Sequence, residues 1–440
     1  MLTAIIVGAG HRALAYAELA KIKGESLKIV GVADPLPERR KYTREYFGFG
    51  EDMCFETAEE LAAKGKIADV IINGTMDQQH VATSIPLLEA GYDMLLEKPF
   101  AVNEAELQLL AEAVKRTGRK VMICHVLRYA PFYTEIKKRI LNGDIGRVLN
   151  IQTAEHVSYH HFSACYVRGK WSKKSECGAS SLLAKCCHDI DLLTWFKSGV
   201  DPVSVDSMGG INFFNAANAP ANAGNYCLID CPLEHTCDFS VRRLHLDNPR
   251  RWRGYIWPKS AYCPEANTPE YREAALKDPS HSHARCVWKC DNDQPDTQAV
   301  MVTFADGTVA THTMAANTAR PLRKLHIIGT EGEIEGVFDD NKFVVRHRDL
   351  APGVQGYTDE WVDLGDMGDT TGAFGDHGGG DLRLAMDFVE FVEGGQPSIS
   401  CTQLSDSING HLIVFAADTA LESKERHFYA DGKFTSAKVF

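Results

Sequence analysis

A chain of 440 residues, 44% hydrophobic and 24% charged, is long enough for two domains with substantial cores and has the make-up of an enzyme rather than a disordered protein. Its net charge of −12 argues against a nucleic-acid partner, because phosphate binding needs a clustered excess of Lys and Arg that no segment shows. No apolar run approaches the roughly 18 to 20 residues that span a bilayer, which argues equally against a membrane partner.

The first apolar strand, Ala4 to Val7, runs into Gly8, Gly10 and Ala13 in the order G-x-G-x-x-A. A tight turn is needed at Gly8, and Gly10 lacks the Cβ that would keep a pyrophosphate from the backbone. The helix that follows, from His11 to about Lys21, would point its unpaired N–H groups at the phosphates. A second apolar run, Leu27 to Ala33, ends in Asp34, where the adenosine ribose hydroxyls would be held. Asp34 favours NAD; Ala13 in place of a third glycine, with Arg39 and Arg40 nearby, leaves NADP open. A nucleotide-binding strand beginning at residue 4 leaves no room for a leader, so a cytoplasmic location is expected. The 13 cysteines then read as thiols or metal ligands rather than disulfides.

Strands near 3–7, 28–33, 69–73, 93–97 and 120–124 alternate with helical stretches near 11–22, 57–63, 78–89 and 103–117. This rhythm predicts a doubly wound parallel sheet of the Rossmann type over residues 1–125. Glu97-Lys98-Pro99 stands at the carboxyl end of the strand Asp93 to Leu96, the edge where such sheets bind ligands. A lysine there can hydrogen-bond a substrate hydroxyl beside a nicotinamide, and Pro99 fixes the turn.

Beyond Pro131 the pattern changes to a helix near 131–142, a strand near 148–157, a polar stretch from Ser158 to Gly178 and a helix from Ser180 to Phe196. Alternating segments at 299–304, 309–314, 325–329 and 343–348, broken by Gly-containing turns, predict a large, mostly antiparallel sheet with one open face. Helices near 380–394 and 401–424 close the chain. Residues 126–440 are thus expected to form an α+β domain for substrate binding and oligomerisation, with a Cys-rich insertion near 225–295. The open face predicts a homo-oligomer, a dimer or a tetramer.

Lys185, His188 and Asp191 recur every three residues in the helix and share a face. Oxidising an alcohol requires a base for the hydroxyl proton, and a histidine suits that at neutral pH. His125, Arg128, Tyr129 and Tyr133 follow the fifth strand at the domain junction, and His156, Tyr159, His160, His161, Tyr166, Arg168 and Lys170 form a dense polar segment suited to a polyhydroxylated ligand. Cys227, Cys231, Cys237, Cys286 and Cys290 in the insertion fit either a structural zinc or free thiols, the Cys286-x-x-x-Cys290 gap lying within the range of structural sites.

Gly8-x-Gly10-x-Arg12, Asp34, the Thr75 to His80 segment, Glu97-Lys98-Pro99 and the Lys185 to Asp191 helix together resemble the glucose-fructose oxidoreductase, inositol dehydrogenase and MocA (Gfo/Idh/MocA) family over nearly the whole length. The resemblance implies NAD(P)-dependent redox chemistry on sugars, polyols or related compounds. It places Lys98 and His188 in catalysis, with Lys185 or Asp191 in support, and an Arg and an aromatic of the Arg128 and Tyr129 kind beside the substrate. Motif and resemblance together put Gly8, Gly10, His11, Arg12, Asp34, Thr75, His80, Glu97 and Lys98 at the cofactor, while His156, Tyr159 and His161 are expected at the carbohydrate from the composition of their segment. Many members carry an aspartate four residues before the histidine; here that position is Ala184. Three functions are therefore expected to compete: a sugar or polyol dehydrogenase, an NAD-dependent glycosidase that oxidises transiently and recycles its cofactor, and a catalytically silent nucleotide-binding regulator.

Overall fold

Strands β1 (Leu2–Val7), β2 (Leu27–Ala33), β3 (Cys54–Phe55), β4 (Val70–Asn73), β5 (Asp93–Leu96) and β6 (Val121–Ile123) form one sheet in the order β3-β2-β1-β4-β5-β6. In the computed structural model, which describes residues 1–248, 252–366 and 377–437, every pairing in this sheet is parallel. Val70, Ile71 and Ile72 are buried because helices cover both faces, which is why β4 is an unbroken apolar run. The strand order reverses between β1 and β4, and the crevice at their carboxyl ends is where such a sheet takes a ligand.

The second sheet has ten strands. They are β7 (Val148–Ser158), β8 (Pro202–Gly210), β9 (Thr297–Phe304), β10 (Val309–Thr318), β11 (Leu322–Gly329), β12 (Gly332–Val337), β13 (Lys342–Asp349), β14 (Gly356–Asp363), β15 (Arg426–Ala430) and β16 (Lys433–Ala437), in the order β14-β13-β12-β11-β7-β10-β9-β8-β15-β16. Among the described residues the β7–β10 pair alone is parallel. The helix Ser181–Phe196 covers one face, packing Leu182, Cys186, Ile190 and Leu193 with Ile151, Ala310, Leu325 and Ile327 in one core. The α/β class with a Rossmann sheet and a mostly antiparallel second sheet is what the sequence led one to expect.

Several strands carry weak signals. Every residue of β14 except Val362 is exposed, so this edge strand shows no alternation to read. Ser158 to Gly178, read as a polar segment, buries residues 162–169 and coils into short helical turns, Tyr159–Phe162, Ser163–Val167 and Lys174–Cys177.

The last two helices return to the six-stranded sheet. Leu384, Ala385, Phe388 and Val389 of the helix Gly380–Glu393 pack with Tyr16, Leu95 and Met122 on one side, and Leu404 and Leu412 of the final helical region join Phe100 on the other. A segment late in the chain is thereby set against the first helix.

Candidate active site

The turn after β1 opens a cleft of about 1320 Å³ that runs over the carboxyl edge of the six-stranded sheet. Gly8 has φ +77°, and a Cβ there would stand 2.7 Å from the Thr75 backbone nitrogen, so both conformation and space demand glycine. At Gly10 the nearest atom to such a Cβ is the Gly74 carbonyl oxygen at 3.9 Å, which leaves the backbone open to the cleft. Asp34 is buried at its edge and accepts hydrogen bonds from the Ala9 N–H and the Leu36 N–H, both at 2.9 Å, while Arg39 approaches at 3.4 Å. This open glycine backbone with a carboxylate at the tip of β2 fits a dinucleotide.

Arg12, on the first turn of the following helix, organises the floor. Its guanidinium donates to Glu97 Oε1 at 3.1 Å, to both oxygens of Asp381 at 3.1 and 2.6 Å, and to the Tyr16 hydroxyl at 2.6 Å. Glu97 accepts the Tyr16 hydroxyl at 2.6 Å and the Lys98 N–H at 2.7 Å. Burial alone would push the Glu97 carboxyl up, but the Arg12 and Lys98 charges hold it below the usual range. His377 joins through Asp381, Nδ1 to Oδ1 at 3.1 Å.

Lys98 precedes a cis peptide bond to Pro99 and donates from Nζ to the Ala184 carbonyl oxygen at 2.9 Å. Ala184 lies one helical turn before His188, so a backbone oxygen of the helix that carries His188 holds the ammonium group. His188 also lines the cleft. Burial, reinforced by the Lys98 charge and by His125 and His377, keeps its imidazole well below the ordinary histidine value, hence neutral. Its Nδ1 is buried without a hydrogen-bond partner.

Gly8, Gly10, His11, Arg12, Asp34, Thr75, His80, Glu97, Lys98, His161, Lys185 and His188 all line this cleft. His80 sits between the carbonyl oxygens of Pro99 and Thr75, at 2.6 and 3.1 Å, and so ties the segment after β4 to the turn after β5. Lys185 faces the cleft from the helix but pairs with buried Glu155 at 3.1 Å.

Other expected residues stand elsewhere. Asp191 is outside the cleft, committed to Arg128 at 2.5 and 2.7 Å and to His125 at 2.9 Å, and those charges outweigh burial to hold its carboxyl far down. Arg128 is therefore consumed inside the protein rather than offered to a ligand. Tyr129 donates to Asp387 at 2.8 Å. His156 lies on β7 opposite Leu322 and Ala315, and Tyr159 packs edge-on against Phe239. A junction-facing position in sequence did not distinguish a pocket wall from an inter-element clamp.

The cleft also contains residues that sequence reasoning passed over. Asp381, His377 and Arg323 enter from late in the chain, and Trp171, Tyr255 and Trp252 extend Tyr166 of the polar segment into an aromatic wall, with ring centroids 6.0 Å apart for Tyr166–Trp171 and 5.8 Å for both Trp171–Tyr255 and Tyr255–Trp252. The Trp252 and His161 rings lie tilted against each other, centroids 4.2 Å apart. Ten residues after Trp252, the Tyr262 hydroxyl donates to the Ala9 carbonyl oxygen at 3.3 Å, and Arg39 lies over its ring at 5.4 Å. The density of Trp and Tyr between residues 252 and 262 was the available signal. Cys227, Cys231, Cys237 and Cys286 surround a second, small cavity, and Cys290 does not line it.

A Rossmann sheet with a glycine turn, an acidic β2 tip and a lysine at the β5 edge defines an NAD(P)-dependent oxidoreductase. Residues 2–125 match the model of an oxidoreductase family with an NAD-binding Rossmann fold, and residues 137–414 match the same family's C-terminal alpha/beta domain. The chain belongs to the Gfo/Idh/MocA family. Among its relatives, YteT of Bacillus subtilis, named as an oxidoreductase, is 24% identical over 385 residues, covering 82% of this chain and 81% of that protein. The scyllo-inositol 2-dehydrogenase (NAD(+)) of the same organism is 28% identical over 142 residues, 32% of this chain and 41% of that one. The fold is shared with levoglucosan dehydrogenase in complex with NADH and levoglucosan, at TM-score 0.65, 19% identity and coverage of 97% and 99%. It is shared too with the WlbA dehydrogenase of Chromobacterium violaceum in complex with NADH and UDP-GlcNAcA, at TM-score 0.63, 14% identity and coverage of 98% and 96%.

Proposed function

We propose that this oxidoreductase transfers hydride between NAD and a secondary alcohol of a sugar, glycoside or polyol. The observation that carries the reading is the convergence of Lys98 and His188 on the cleft that begins at the glycine turn, beside an aromatic wall. A bound nicotinamide supplies the hydride acceptor. Lys98, steered by the Ala184 carbonyl, donates a hydrogen bond to the carbinol oxygen. As the carbon gives up its hydride, the hydroxyl proton goes to neutral His188, leaving a ketone. Lys185 and Glu155 fix the helix behind them. Arg12 anchors Glu97 and Asp381, so the floor is set before substrate arrives. Tyr166, Trp171, Trp252 and Tyr255 offer flat apolar faces for a sugar ring and exclude water.

Asp34 at the β2 tip supports NAD over NADP, and Arg39 beside it leaves room for the latter's extra phosphate. Neighbours in the same fold bind NADH with levoglucosan or a nucleotide sugar, which supports the carbohydrate class. The test is a panel of sugars, glycosides and polyols with NAD and NADP, followed by absorbance of the reduced nicotinamide. Failure of every alcohol to reduce either dinucleotide, in a chain shown to bind one, would leave the regulator reading standing.

A second reading has a specific support: Tyr262 closes over the dinucleotide turn, as suits a cofactor kept through many turnovers. Oxidation at a pyranoside carbon next to C2 would acidify the C2 hydrogen. Loss of the anomeric substituent, addition of water and return of the hydride would complete hydrolysis with no net redox change. Glycoside cleavage at substoichiometric NAD, without accumulation of NADH, distinguishes this from a dehydrogenase.

The open face of the ten-stranded sheet, with Met208 73% and Trp361 68% exposed, supports a homo-oligomer, a dimer or tetramer, measurable by light scattering. No described helix is long and apolar enough to cross a membrane. All 13 cysteines are unpaired, which supports a reducing, cytoplasmic setting.

A further inference from the structure

Four cysteines of the insertion, drawn from segments some sixty residues apart in sequence, enclose a cavity distinct from the cleft. Cys227, Cys231, Cys237 and Cys286 line a space of about 10 Å³, room for one atom-sized guest and no organic ligand. An isolated antiparallel bridge joins Tyr226 to Arg285, with the Cys227 N–H donating to the Ala284 carbonyl oxygen at 2.9 Å and the Cys286 N–H to that of Asn225 at 2.7 Å. These bonds set Cys227 and Cys286 side by side. A turn closed by the Cys237 N–H to the Leu233 carbonyl oxygen, 2.9 Å, brings Cys237 back toward them.

The second observation is Arg168, 2% exposed at the cavity wall. Its Nε donates to the Arg285 carbonyl oxygen at 2.8 Å, and Nη2 to the Phe239 carbonyl oxygen at 3.0 Å and to Cys227 Sγ at 3.4 Å. Nη1 is buried without a partner, and among the described residues no carboxylate forms an ion pair with this guanidinium. A buried cation among neutral thiols is costly; among thiolates it is compensated. A divalent ion held by four thiolates leaves two negative charges, of which Arg168 cancels one.

We propose that Cys227, Cys231, Cys237 and Cys286 bind one divalent ion of the zinc class, with Arg168 as the countercharge that links the site to the cleft wall. Binding exchanges thiol protons, released to solvent, for metal–sulfur bonds. Arg168 directly follows the turn Ser163–Val167, whose Tyr166 lines the cleft, so the ion fixes the insertion and that wall together. Cys290 takes no part: its thiol donates to the Cys286 carbonyl oxygen at 3.3 Å. The cavity sulfurs stand wider apart than the trio Cys186, Asp189 and His312, whose ligand atoms lie within 4.8 Å of one another, and side-chain rotation draws them onto the ion. In that buried trio Asp189 is already paired with Arg323 at 3.0 Å.

The test is elemental analysis of the full chain expressed with zinc and desalted, together with cobalt(II) titration of the reduced, metal-stripped chain. One zinc per chain is expected, and cobalt should give the sulfur-to-metal charge-transfer and intense visible bands of a tetrahedral thiolate site. Cys290→Ser should keep both signals, whereas Cys231→Ser should weaken them. Absence of zinc together with absence of the cobalt bands overturns the proposal, as does a disulfide between any two of the four found by mass spectrometry. If Cys231→Ser fails to fold, the spectrum of the unaltered chain still decides.

Discussion

In the proposed chemistry Lys98 and His188 divide the work, the ammonium as hydrogen-bond donor and the neutral imidazole as proton acceptor. The Ala184 carbonyl oxygen accepts from the ammonium, while burial and the Lys98 charge oppose a second cation on the imidazole. Replacing Lys98 with Met should lower kcat by about 10²–10⁴-fold, the usual worth of a positioned proton donor. Dinucleotide affinity, measured by fluorescence titration, should change little. Retained turnover in this variant would remove Lys98 from the chemistry. His188 accepts a proton only when neutral, and its lowered value keeps it neutral below the ordinary histidine value of about 6.5. The acid limb of kcat/KM for alcohol oxidation should therefore lie below that pH, and His188→Asn should abolish it. A limb above it would mean that another group titrates.

At the scale of elements, the helix Ser181–Phe196 is fixed by a buried pair that lies outside the cleft. Arg128 and Asp191 are 2% and 1% exposed, and removing one partner leaves the other charged and unsolvated. Arg128→Met should cost about 3–5 kcal/mol by denaturant unfolding, with Arg128→Met/Asp191→Asn recovering much of it. If Arg128 instead held substrate, the single variant would raise KM and leave stability unchanged. The helix and the strand before it were legible from apolar spacing, and His188 from its place on that helix. What Asp191 and Arg128 face was not legible, since a face shared every three residues says nothing of which neighbour covers it.

Across the whole molecule, burial holds His161, His188, His245 and His411 well below the ordinary histidine value and takes His283 down to about 3. The unfolded chain takes up these protons near pH 6.5 while the folded chain refuses them. Stability should thus be level above that pH and fall below it, by about 1.4 kcal/mol per pH unit for each such histidine. Asp418, raised to about 6 chiefly by burial, opposes this between its unfolded value near 4 and pH 6, because its folded state prefers the neutral carboxyl. Asp191 and Asp381 lose their contribution only below the usual carboxylate range. Urea midpoints at pH 7.5, 6.5 and 5.5 should show the decline setting in at the second step; a level series would mean that these histidines reach solvent.

The sequence by itself determined the opening turn, the acidic β2 tip, the Glu97-Lys98-Pro99 edge, the helix that bears His188 and the two-sheet class, because each is written in neighbouring residues whose spacing matches a strand, a turn or a helix. Only the tertiary structure decided that Asp381, with His377 bonded to it, reaches Arg12 across more than 350 residues, that Arg128 turns inward, and that Trp252 and Tyr262 line the cleft. Those contacts follow from how helices and an irregular insertion pack onto the sheets, and packing joins side chains by shape and charge in space, with no period along the chain to announce it.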